Sequence, residues 1–198
     1  MEPKDAHRLR LASNPRRNAP ALFLDRDGTL IEDHGYLADP AGVRLLPAVV
    51  AALHRFRDAG HALVVVTNQS GIGRGFYGWN DYEAVAARLR ELLAGEGLEL
   101  DAELACAHTP GDGQACAWRK PGPGMLVEAA GRLGLDLSRS LLVGDKLSDI
   151  EAAAAAGLPR AVHVATGAAG EREKVARRRG SICVVELDDL STLAPCAS

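Results

Sequence analysis

Residues 21–30 read ALFLDRDGTL, so that four apolar residues are followed directly by two aspartates on either side of one arginine. An unbroken apolar run of this kind predicts a strand that is buried on both faces of a sheet. Two carboxylates at the end of such a strand repel each other unless a proton or a cation lies between them. Mg²⁺ is the natural cation, because it takes one or two carboxylates together with water and phosphate oxygens. The stretch therefore predicts a Mg²⁺ site at Asp25 and Asp27.

The composition is that of an ordinary globular protein, with 198 residues, 47% hydrophobic residues, 25% charged residues and a net charge of −3. We predict one domain over residues 21–198, preceded by a flexible tail at 1–20, where basic residues are scattered and apolar periodicity is weak. There is no block of one charge sign and no apolar run long enough to cross a membrane. We therefore expect no nucleic-acid or membrane partner, a cytoplasmic location and, without an obvious interface stripe, a monomer.

Short apolar runs alternate with helical patterns after residue 20, which is typical of βαβ units. We predict an α/β fold, a three-layer, Rossmann-like parallel sheet with helices on both faces, and the segments between these elements are too short for a large cap domain. Strands are predicted at 21–24, 62–67, about 101–106, 140–144, 161–165 and 182–186. Helices are predicted at 47–59, 80–94, 124–133, 148–156 and 172–179.

Polar clusters come after four of the predicted strands, at the point where each strand ends. They read DRDGT after the first strand, TNQSG after the second, a Cys/His-containing loop leading to RKP after the third, and GDKLSD after the fourth. Because ligands of open α/β sheets bind beyond the carboxyl ends of the strands, we expect all four clusters at one rim. Carboxylates there suit a cation, whereas hydroxyl, amide and ammonium groups suit a phosphate. In the last cluster, Ser148 or Asp149 is expected to cap the following helix.

In their order and spacing the four clusters resemble the haloacid dehalogenase superfamily of phosphohydrolases, which use an aspartate as nucleophile. The resemblance implies that Asp25 attacks phosphorus and that Asp27 acts as general acid and base. It also implies that Thr67 and Lys120 hold the phosphoryl oxygens. Mg²⁺ would be bound by Asp25, Asp145 and the backbone carbonyl of Asp27.

Longer stretches resemble the D-glycero-D-manno-heptose 1,7-bisphosphate 7-phosphatases and the related histidinol-phosphatase domains. These stretches are DRDGTLIEDHGY, VVVTNQSGIGRG, RKPGPGML and LLVGDKLSDIEAA. The closer resemblance implies a small sugar phosphate as substrate, loss of its 7-phosphate, and a place in carbohydrate metabolism that supplies lipopolysaccharide precursors. The substrate-binding residues that it implies are Asp33, His34, Gly35, Tyr36, Asn68, Gln69, Ser70, Arg119 and Lys146.

The loop before RKP reads CAHTPGDGQACAWRKP and departs from these relatives, which carry a zinc site with the pattern Cys-x-His and then Cys-x-Cys. Cys106, His108 and Cys116 match three ligands, but Trp118 occupies the fourth position and cannot bind zinc. Three outcomes are open: three ligands completed by water or Asp112, a weak site that is usually empty, or a metal-free loop in which Trp118 fills the space of the ion. We expect a weak or vacant Zn²⁺ site, since structural zinc normally has four protein ligands.

Two alternatives to the heptose bisphosphate phosphatase remain. One keeps the chemistry and changes the substrate to histidinol phosphate or another small phosphomonoester. The other is a non-catalytic binding protein on the same fold, since a fold alone does not determine function. A degenerate protein is expected to lose a reacting group, whereas Asp25, Asp27, Thr67, Lys120 and Asp145 are all present. The sequence therefore favours an enzyme.

Overall fold

A computed structural model describes residues 6–111, 116–167, 170–177 and 182–195. The strands are β1 His7–Leu11, β2 Ala21–Leu24, β3 Ala62–Asn68, β4 Ala102–Cys106, β5 Leu141–Gly144, β6 Arg160–Val164 and β7 Cys183–Leu187. The helices are α1 Val49–Asp58, α2 Ser70–Gly73, α3 Trp79–Gly95, α4 Gly124–Leu133, α5 Leu147–Ala155 and α6 Glu171–Arg177. The six predicted strands are confirmed to within one residue at each end.

The seven strands form one sheet in the order β1-β4-β3-β2-β5-β6-β7. All neighbouring pairs are parallel except β1 and β4, which are antiparallel. Leu24 of β2 pairs with Val65 of β3 on one side and with Val143 of β5 on the other. The chain leaves β2 toward β3 and later returns to the opposite side at β5, so the strand order reverses at β2.

Helices cover both faces of the sheet, because alternate residues of each strand enter two different hydrophobic clusters. Leu22 and Leu24 pack in the cluster that contains Phe56 of α1 and Leu89 of α3. Phe23, between them, packs in the cluster that contains residues of α4 and α5. Continuous apolar strands are required where both faces are buried. The predicted three-layer α/β architecture is confirmed.

No cap domain is inserted in the two segments that come after β2 and β3. Residues 25–48 and 69–78, all of which the structure describes, hold a 3-10 turn at Pro40–Gly42, isolated bridges from Ile31 to Asp27 and Leu45, and the four-residue helix α2. Within the described parts of the chain, no helix has both the length and the apolar character that crossing a membrane requires.

The predicted flexible tail at 1–20 is wrong for residues 7–11, which form the edge strand β1. The sequence HRLRL alternates polar and apolar residues, the pattern of a strand with one buried face. Leu9 and Leu11 pack against the hydrophobic cluster on the α4 side of the sheet. On the other face, the Arg10 guanidinium pairs with Glu103 at 3.4 Å and Arg8 lies 4.4 Å from the ring centroid of Trp79. Arg8 and Arg10 therefore lie on the face of β1 opposite to Leu9 and Leu11, where they contact Trp79 and Glu103.

Asp101 joins the segment after β1 to the sheet. Its buried carboxylate accepts hydrogen bonds from the backbone N–H of Arg16 at 2.6 Å and of Leu63 at 2.7 Å. Arg57 of α1 pairs with the same carboxylate at 2.9 Å. One side chain thus holds the N-terminal segment, the start of β3 and helix α1 together.

Replacing Asp101 by alanine should lower the free energy of unfolding by about 3 kcal/mol, because it leaves a buried backbone N–H and a partly buried arginine without their acceptor. Urea unfolding followed by circular dichroism measures the change. The matched control is Asp58→Ala at the exposed end of α1, which should change stability by less than about 0.5 kcal/mol. Equal stabilities for the two variants would contradict this role of Asp101.

Candidate active site

The polar clusters at the ends of β2, β3 and β5 meet where the strand order reverses. Asp25 lies directly after β2, Thr67 is near the end of β3, and Asp145 lies directly after β5. The backbone N–H of Asp25 donates to the carbonyl of Val143 at 2.9 Å, which holds the loops after β2 and β5 side by side. These three residues therefore lie at the same edge of the sheet, as expected. Lys120 reaches the same place from the loop before α4.

A tight turn carries the two aspartates of the first cluster. The carbonyl of Arg26 accepts hydrogen bonds from the N–H groups of Leu30 at 2.9 Å and Ile31 at 3.1 Å. Gly28 has φ of 80°, a left-handed conformation that glycine adopts without strain. A Cβ on Gly28 would also lie 2.6 Å from Oδ2 of Asp145. Glycine at this position lets the turn approach the carboxylate at the end of β5.

Lys120 is the buried centre of the site, with only 2% of its side chain exposed. Its Nζ lies 2.8 Å from Oδ1 of Asp25 and 2.5 Å from Oδ1 of Asp149, and it donates to the carbonyl of Val66 at 2.7 Å. The carbonyl takes one of the three ammonium donors in a hydrogen bond, and the two carboxylates lie at ion-pair distance. Lys120 therefore joins the ends of β2 and β3 to the first turn of α5.

The charges at this centre set one another's protonation. Burial alone would raise the pKa of Asp25, but the Lys120 and Lys146 ammonium groups hold it below its usual value. Burial alone would lower the pKa of Lys120, but Asp149 and Asp25 hold it above its usual value. Asp25 is consequently an ionised carboxylate beside an ionised lysine at neutral pH.

The carboxylates of Asp25, Asp145 and Asp149 have ligand oxygens within 4.8 Å of one another. Burial, together with the neighbouring Asp25, raises the pKa of Asp145 to about 8. Burial also raises the pKa of Asp149 to about 6, although Lys120 acts in the opposite direction. Three close carboxylates face only two lysines, Lys120 and Lys146, and the raised pKa values mean that all three ionise at neutral pH only with further positive charge, which a cation supplies.

One carboxylate oxygen of this cluster, Asp145 Oδ2, is available to bind a metal ion. Oδ2 of Asp145 is buried and accepts no hydrogen bond from the described residues. Lys146 Nζ lies 3.0 Å from Asp145 Oδ2, but the geometry is not that of a hydrogen bond. The hydrogen bond from Lys146 goes to Asp145 Oδ1, at 3.3 Å. An orphaned carboxylate oxygen in an oxygen-rich, acidic cluster fits a hard divalent cation such as Mg²⁺. The residues present therefore fit the predicted metal.

Asp27 is held on the wall of the same cleft. Arg26 Nη2 donates to its Oδ2 at 2.9 Å, and Gln69 Nε2 donates to the same oxygen at 2.9 Å. Gln69 Nε2 also donates to Oγ1 of Thr67 at 2.8 Å, and its Oε1 accepts from the Tyr77 hydroxyl at 2.5 Å. The Gln69 amide thus fixes Asp27 and Thr67 relative to each other.

Asn68 holds the backbone that carries Lys120. Its Nδ2 donates to the carbonyl of Lys120 at 2.9 Å, and its Oδ1 accepts from the Lys120 N–H at 3.0 Å. A side-chain amide that satisfies both backbone groups of one residue fixes its orientation. Asn68 thus positions the lysine as well as lining the cleft.

A cleft of about 980 Å³ opens above these groups. Of the predicted substrate-binding residues, every one except His34 lines it: Asp33, Gly35, Tyr36, Asn68, Gln69, Ser70, Arg119 and Lys146. The His34 imidazole instead lies 3.3 Å from the Glu32 carboxylate. Arg119 Nη1 donates to the carbonyl of His108 at 2.6 Å, and Lys146 Nζ lies 3.4 Å from Oδ2 of Asp33. The cleft therefore offers both charged and aromatic groups beside the carboxylates.

The three predicted zinc ligands also come together. Cys106, His108 and Cys116 lie with a fourth residue, His7, so that their ligand atoms are within 4.8 Å of one another. Asp112, the carboxylate considered as a fourth ligand, lies outside the described residues. Trp118 lies against the ring of His7, with centroids 4.7 Å apart. The structure thus brings a fourth nitrogen or sulfur ligand to the loop.

Sequence reasoning missed Arg26, Tyr77 and His7, and gave Asp149 no role beyond a helix cap. Asp149 does accept the Lys146 N–H at 3.1 Å, as a cap does, but its other oxygen faces Lys120. The spacing of Asp145 and Asp149 across a strand end and a first helical turn was the available signal. The alternation HRLRL was the signal for His7, whereas no local pattern points to Arg26 or Tyr77.

Comparisons with known proteins identify the family of the chain. A family model described as HAD-hydrolase-like matches residues 117–190. The D-glycero-beta-D-manno-heptose-1,7-bisphosphate 7-phosphatase of Mesorhizobium japonicum is 54% identical over 144 residues, which cover 70% of this chain and 66% of that protein. The protein of the same name from Salmonella typhi is 42% identical over 156 residues, which cover 76% of this chain and 83% of that protein.

The fold agrees with a solved relative as well. The crystal structure of D,D-heptose 1,7-bisphosphate phosphatase from B. bronchiseptica, complexed with magnesium and phosphate, matches with a TM-score of 0.75. The identity is 35%, and the match covers 87% of this chain and 94% of that one. The chain is a phosphatase that belongs to the D-glycero-beta-D-manno-heptose-1,7-bisphosphate 7-phosphatase family of haloacid dehalogenase-like hydrolases.

Proposed function

We propose that the protein removes the 7-phosphate of D-glycero-D-manno-heptose 1,7-bisphosphate, yielding the heptose 1-phosphate, in a Mg²⁺-dependent hydrolysis that passes through a phosphorylated Asp25. The observation that carries the proposal is the position of the Asp25 carboxylate, which is buried at the end of the central strand and 2.8 Å from Lys120 Nζ, an ammonium group that holds the pKa of Asp25 below its usual value. A carboxylate is a nucleophile only when ionised, and a fixed lysine beside it suits a phosphoryl group with charged oxygens.

The reaction divides into two displacements. In the first, an oxygen of Asp25 bonds to phosphorus, the bond from phosphorus to the sugar oxygen breaks, and Asp27 gives that oxygen a proton. In the second, water bonds to phosphorus, the bond to Asp25 breaks, and Asp27 takes a proton from the water. The hydrogen bonds from Arg26 and Gln69 to Asp27 support this role, because they hold the carboxyl on the wall of the cleft that Asp25 also lines.

Thr67 and Lys120 are proposed to bind the transferring phosphoryl group. Thr67 Oγ1 accepts its hydrogen bond from Gln69, which leaves the hydroxyl proton available for donation to a phosphate oxygen. The Lys120 Nζ has a fixed position among three acceptors, so little reorganisation accompanies the change in charge. Thr67 would stabilise the transition state through a hydrogen bond to a phosphoryl oxygen, and Lys120 would do so through its positive charge.

Asp25, Asp145 and the backbone carbonyl of Asp27 are proposed to hold Mg²⁺. The bound ion supplies positive charge that offsets the repulsion between the Asp25 carboxylate and the phosphate. The orphaned Oδ2 of Asp145 and the excess of carboxylates over lysines support this ligand set. Asp149 lies beside these ligands and holds Lys120 in place.

The substrate assignment rests on the cleft and on the relatives. The matched proteins from Mesorhizobium japonicum and Salmonella typhi are named as heptose 1,7-bisphosphate 7-phosphatases. The cleft is large enough for a phosphorylated sugar, and Arg119 on its wall suits a second phosphate. The cytoplasmic location, the monomeric state and use of the product for lipopolysaccharide precursors stay predictions.

Asp25→Asn should lower kcat for phosphate release from the heptose 1,7-bisphosphate by at least about 1,000-fold, because the amide cannot serve as the nucleophile. Phosphate release is measured with Mg²⁺ on both anomers of the bisphosphate, on histidinol phosphate and on simple sugar monophosphates. Asp58→Asn at the exposed end of α1 is the matched control. Residual activity of Asp25→Asn within tenfold of the control would refute the proposed nucleophile, and highest kcat/KM on histidinol phosphate would replace the substrate.

Asp145→Asn should raise the Mg²⁺ concentration for half-maximal activity by about 100-fold, since it removes a charged oxygen ligand. The same substitution should reduce the rise in Tm that Mg²⁺ produces in the unreacted protein. Titration of activity and of Tm with Mg²⁺ measures both effects. An unchanged Mg²⁺ requirement would show that Asp145 is not a ligand.

Arg119→Met should lower kcat/KM for the 1,7-bisphosphate by about 10- to 100-fold, the loss expected for a charged hydrogen bond to phosphate. The effect on the heptose 7-phosphate, which lacks the second phosphate, should be less than about threefold. Arg88→Met on the exposed face of α3 controls for loss of a positive charge. Equal losses on both substrates would mean that Arg119 only supports the loop, through its bond to His108.

A further inference from the structure

We propose that the edge strand β1 supplies the missing ligand of the zinc loop, and that His7, Cys106, His108 and Cys116 form a tetrahedral Zn²⁺ site. In the antiparallel ladder of β1 and β4, His7 lies directly opposite Cys106. Residues opposite each other on adjacent strands bring their Cβ atoms within about 5.5 Å. The pairing of the strands therefore delivers an imidazole to the place that Trp118 cannot serve.

Two separations between ligand atoms match the edges of a zinc tetrahedron, and the separation that involves His7 is shorter than such an edge. With Zn–S near 2.3 Å and Zn–N near 2.0–2.1 Å, two sulfurs should be about 3.8 Å apart, and a sulfur and a nitrogen about 3.6 Å apart. The Sγ atoms of Cys106 and Cys116 are 3.7 Å apart. Cys106 Sγ lies 3.5 Å from His108 Nδ1, and Cys116 Sγ lies 3.1 Å from His7 Nε2. All four atoms lie within 4.8 Å of one another, so binding of the ion requires His7 Nε2 and Cys116 Sγ to move apart by only about 0.5 Å.

Trp118 supports the site from outside. Its ring lies against the His7 imidazole with an interplanar angle of 32°. The four ligand atoms are all within 4.8 Å of one another, which leaves no room for an indole between them. Trp118 therefore orients the new ligand and does not replace the ion.

A disulfide between the two cysteines is the main competing arrangement. A disulfide has sulfurs about 2.05 Å apart, whereas the sulfurs here are 3.7 Å apart and both thiols are free. A disulfide needs no histidine, whereas two imidazoles and two thiols together form the complete ligand set of a Cys₂His₂ zinc site. The composition of the cluster thus favours the metal.

The ion would join the N-terminal strand to the wall of the substrate cleft. His108 and Cys116 line the cleft, and the His108 carbonyl accepts the hydrogen bond from Arg119. Zinc at this point fixes the loop before Lys120 to β1, across a large separation in sequence. The inference does not rest on the proposed function, because its tests read the metal and the exchange of backbone protons.

X-ray absorption at the zinc edge of the reduced wild-type protein, loaded with one equivalent of Zn²⁺, tests the ligand set without a mutation. The proposal requires two sulfur ligands and the outer-shell scattering of two imidazoles. One imidazole with an added oxygen ligand would mean that water or a carboxylate completes the shell, and would overturn the role of His7. Failure of the reduced protein to bind zinc would also overturn it.

Substitution of His7 gives the second test. His7→Ala should weaken zinc affinity by at least about 100-fold, since even loss of an outer partner typically costs about 10- to 100-fold. His7→Cys should keep tight binding and change the cobalt-substituted spectrum by adding a thiolate, which also shows that the strand folds. His54→Ala, a histidine on α1, is the matched control and should bind zinc as the wild type does. Wild-type affinity in His7→Ala would contradict the proposal.

Hydrogen exchange then tests the link between the strand and the loop. Zinc should slow exchange in β1 and in the residues around Cys116 of the wild type and of His54→Ala. In His7→Ala the same zinc concentration should leave β1 unprotected. Protection of β1 by zinc without His7 would show that the strand and the metal are independent.

Discussion

The buried ammonium of Lys120 is the interaction on which the geometry of the site depends. It connects Asp25 after β2, the carbonyl of Val66 in β3 and Asp149 in α5, and nearly all of its surface is covered. A buried ion pair contributes little net stability, because the cost of removing its charges from water offsets their attraction. Removing one partner, however, typically costs about 3–5 kcal/mol. The arrangement therefore selects one relative position for three loops, and this position keeps Asp25 ionised.

The side-chain amides around Lys120 also fix the relative positions of the groups in the site. Asn68 binds both backbone groups of Lys120, and Gln69 joins Asp27 to Thr67. These amides lie at the end of β3, so the strand that supports Thr67 also positions the lysine and the second aspartate. Precise positioning of charged groups by rigid elements lowers the reorganisation that a reaction requires. The cleft wall outside this layer carries the groups proposed to select the sugar.

Much of the fold and of the site could be predicted because the signals are local. Each apolar run such as ALFL marks a strand, and parallel strands bring their carboxyl ends to one rim, so the polar residues at the end of each run identify Asp25, Thr67 and Asp145. Pairings between distant segments have no such signal. The position of His7 depends on the register of β1 with β4. Strand β1 was not predicted because its alternating pattern is only five residues long and lies in a segment rich in arginine.

The central claim is that Asp25 receives the phosphoryl group. It is tested most directly by mixing enzyme with the heptose 1,7-bisphosphate, quenching in acid within one turnover, and reducing the acyl phosphate with borohydride. Reduction converts a phosphorylated aspartate to homoserine, which peptide mass spectrometry locates. The account predicts homoserine at position 25 alone, and none in the unreacted enzyme. Rapid phosphate release with no homoserine at position 25, or with homoserine at another aspartate, would contradict it.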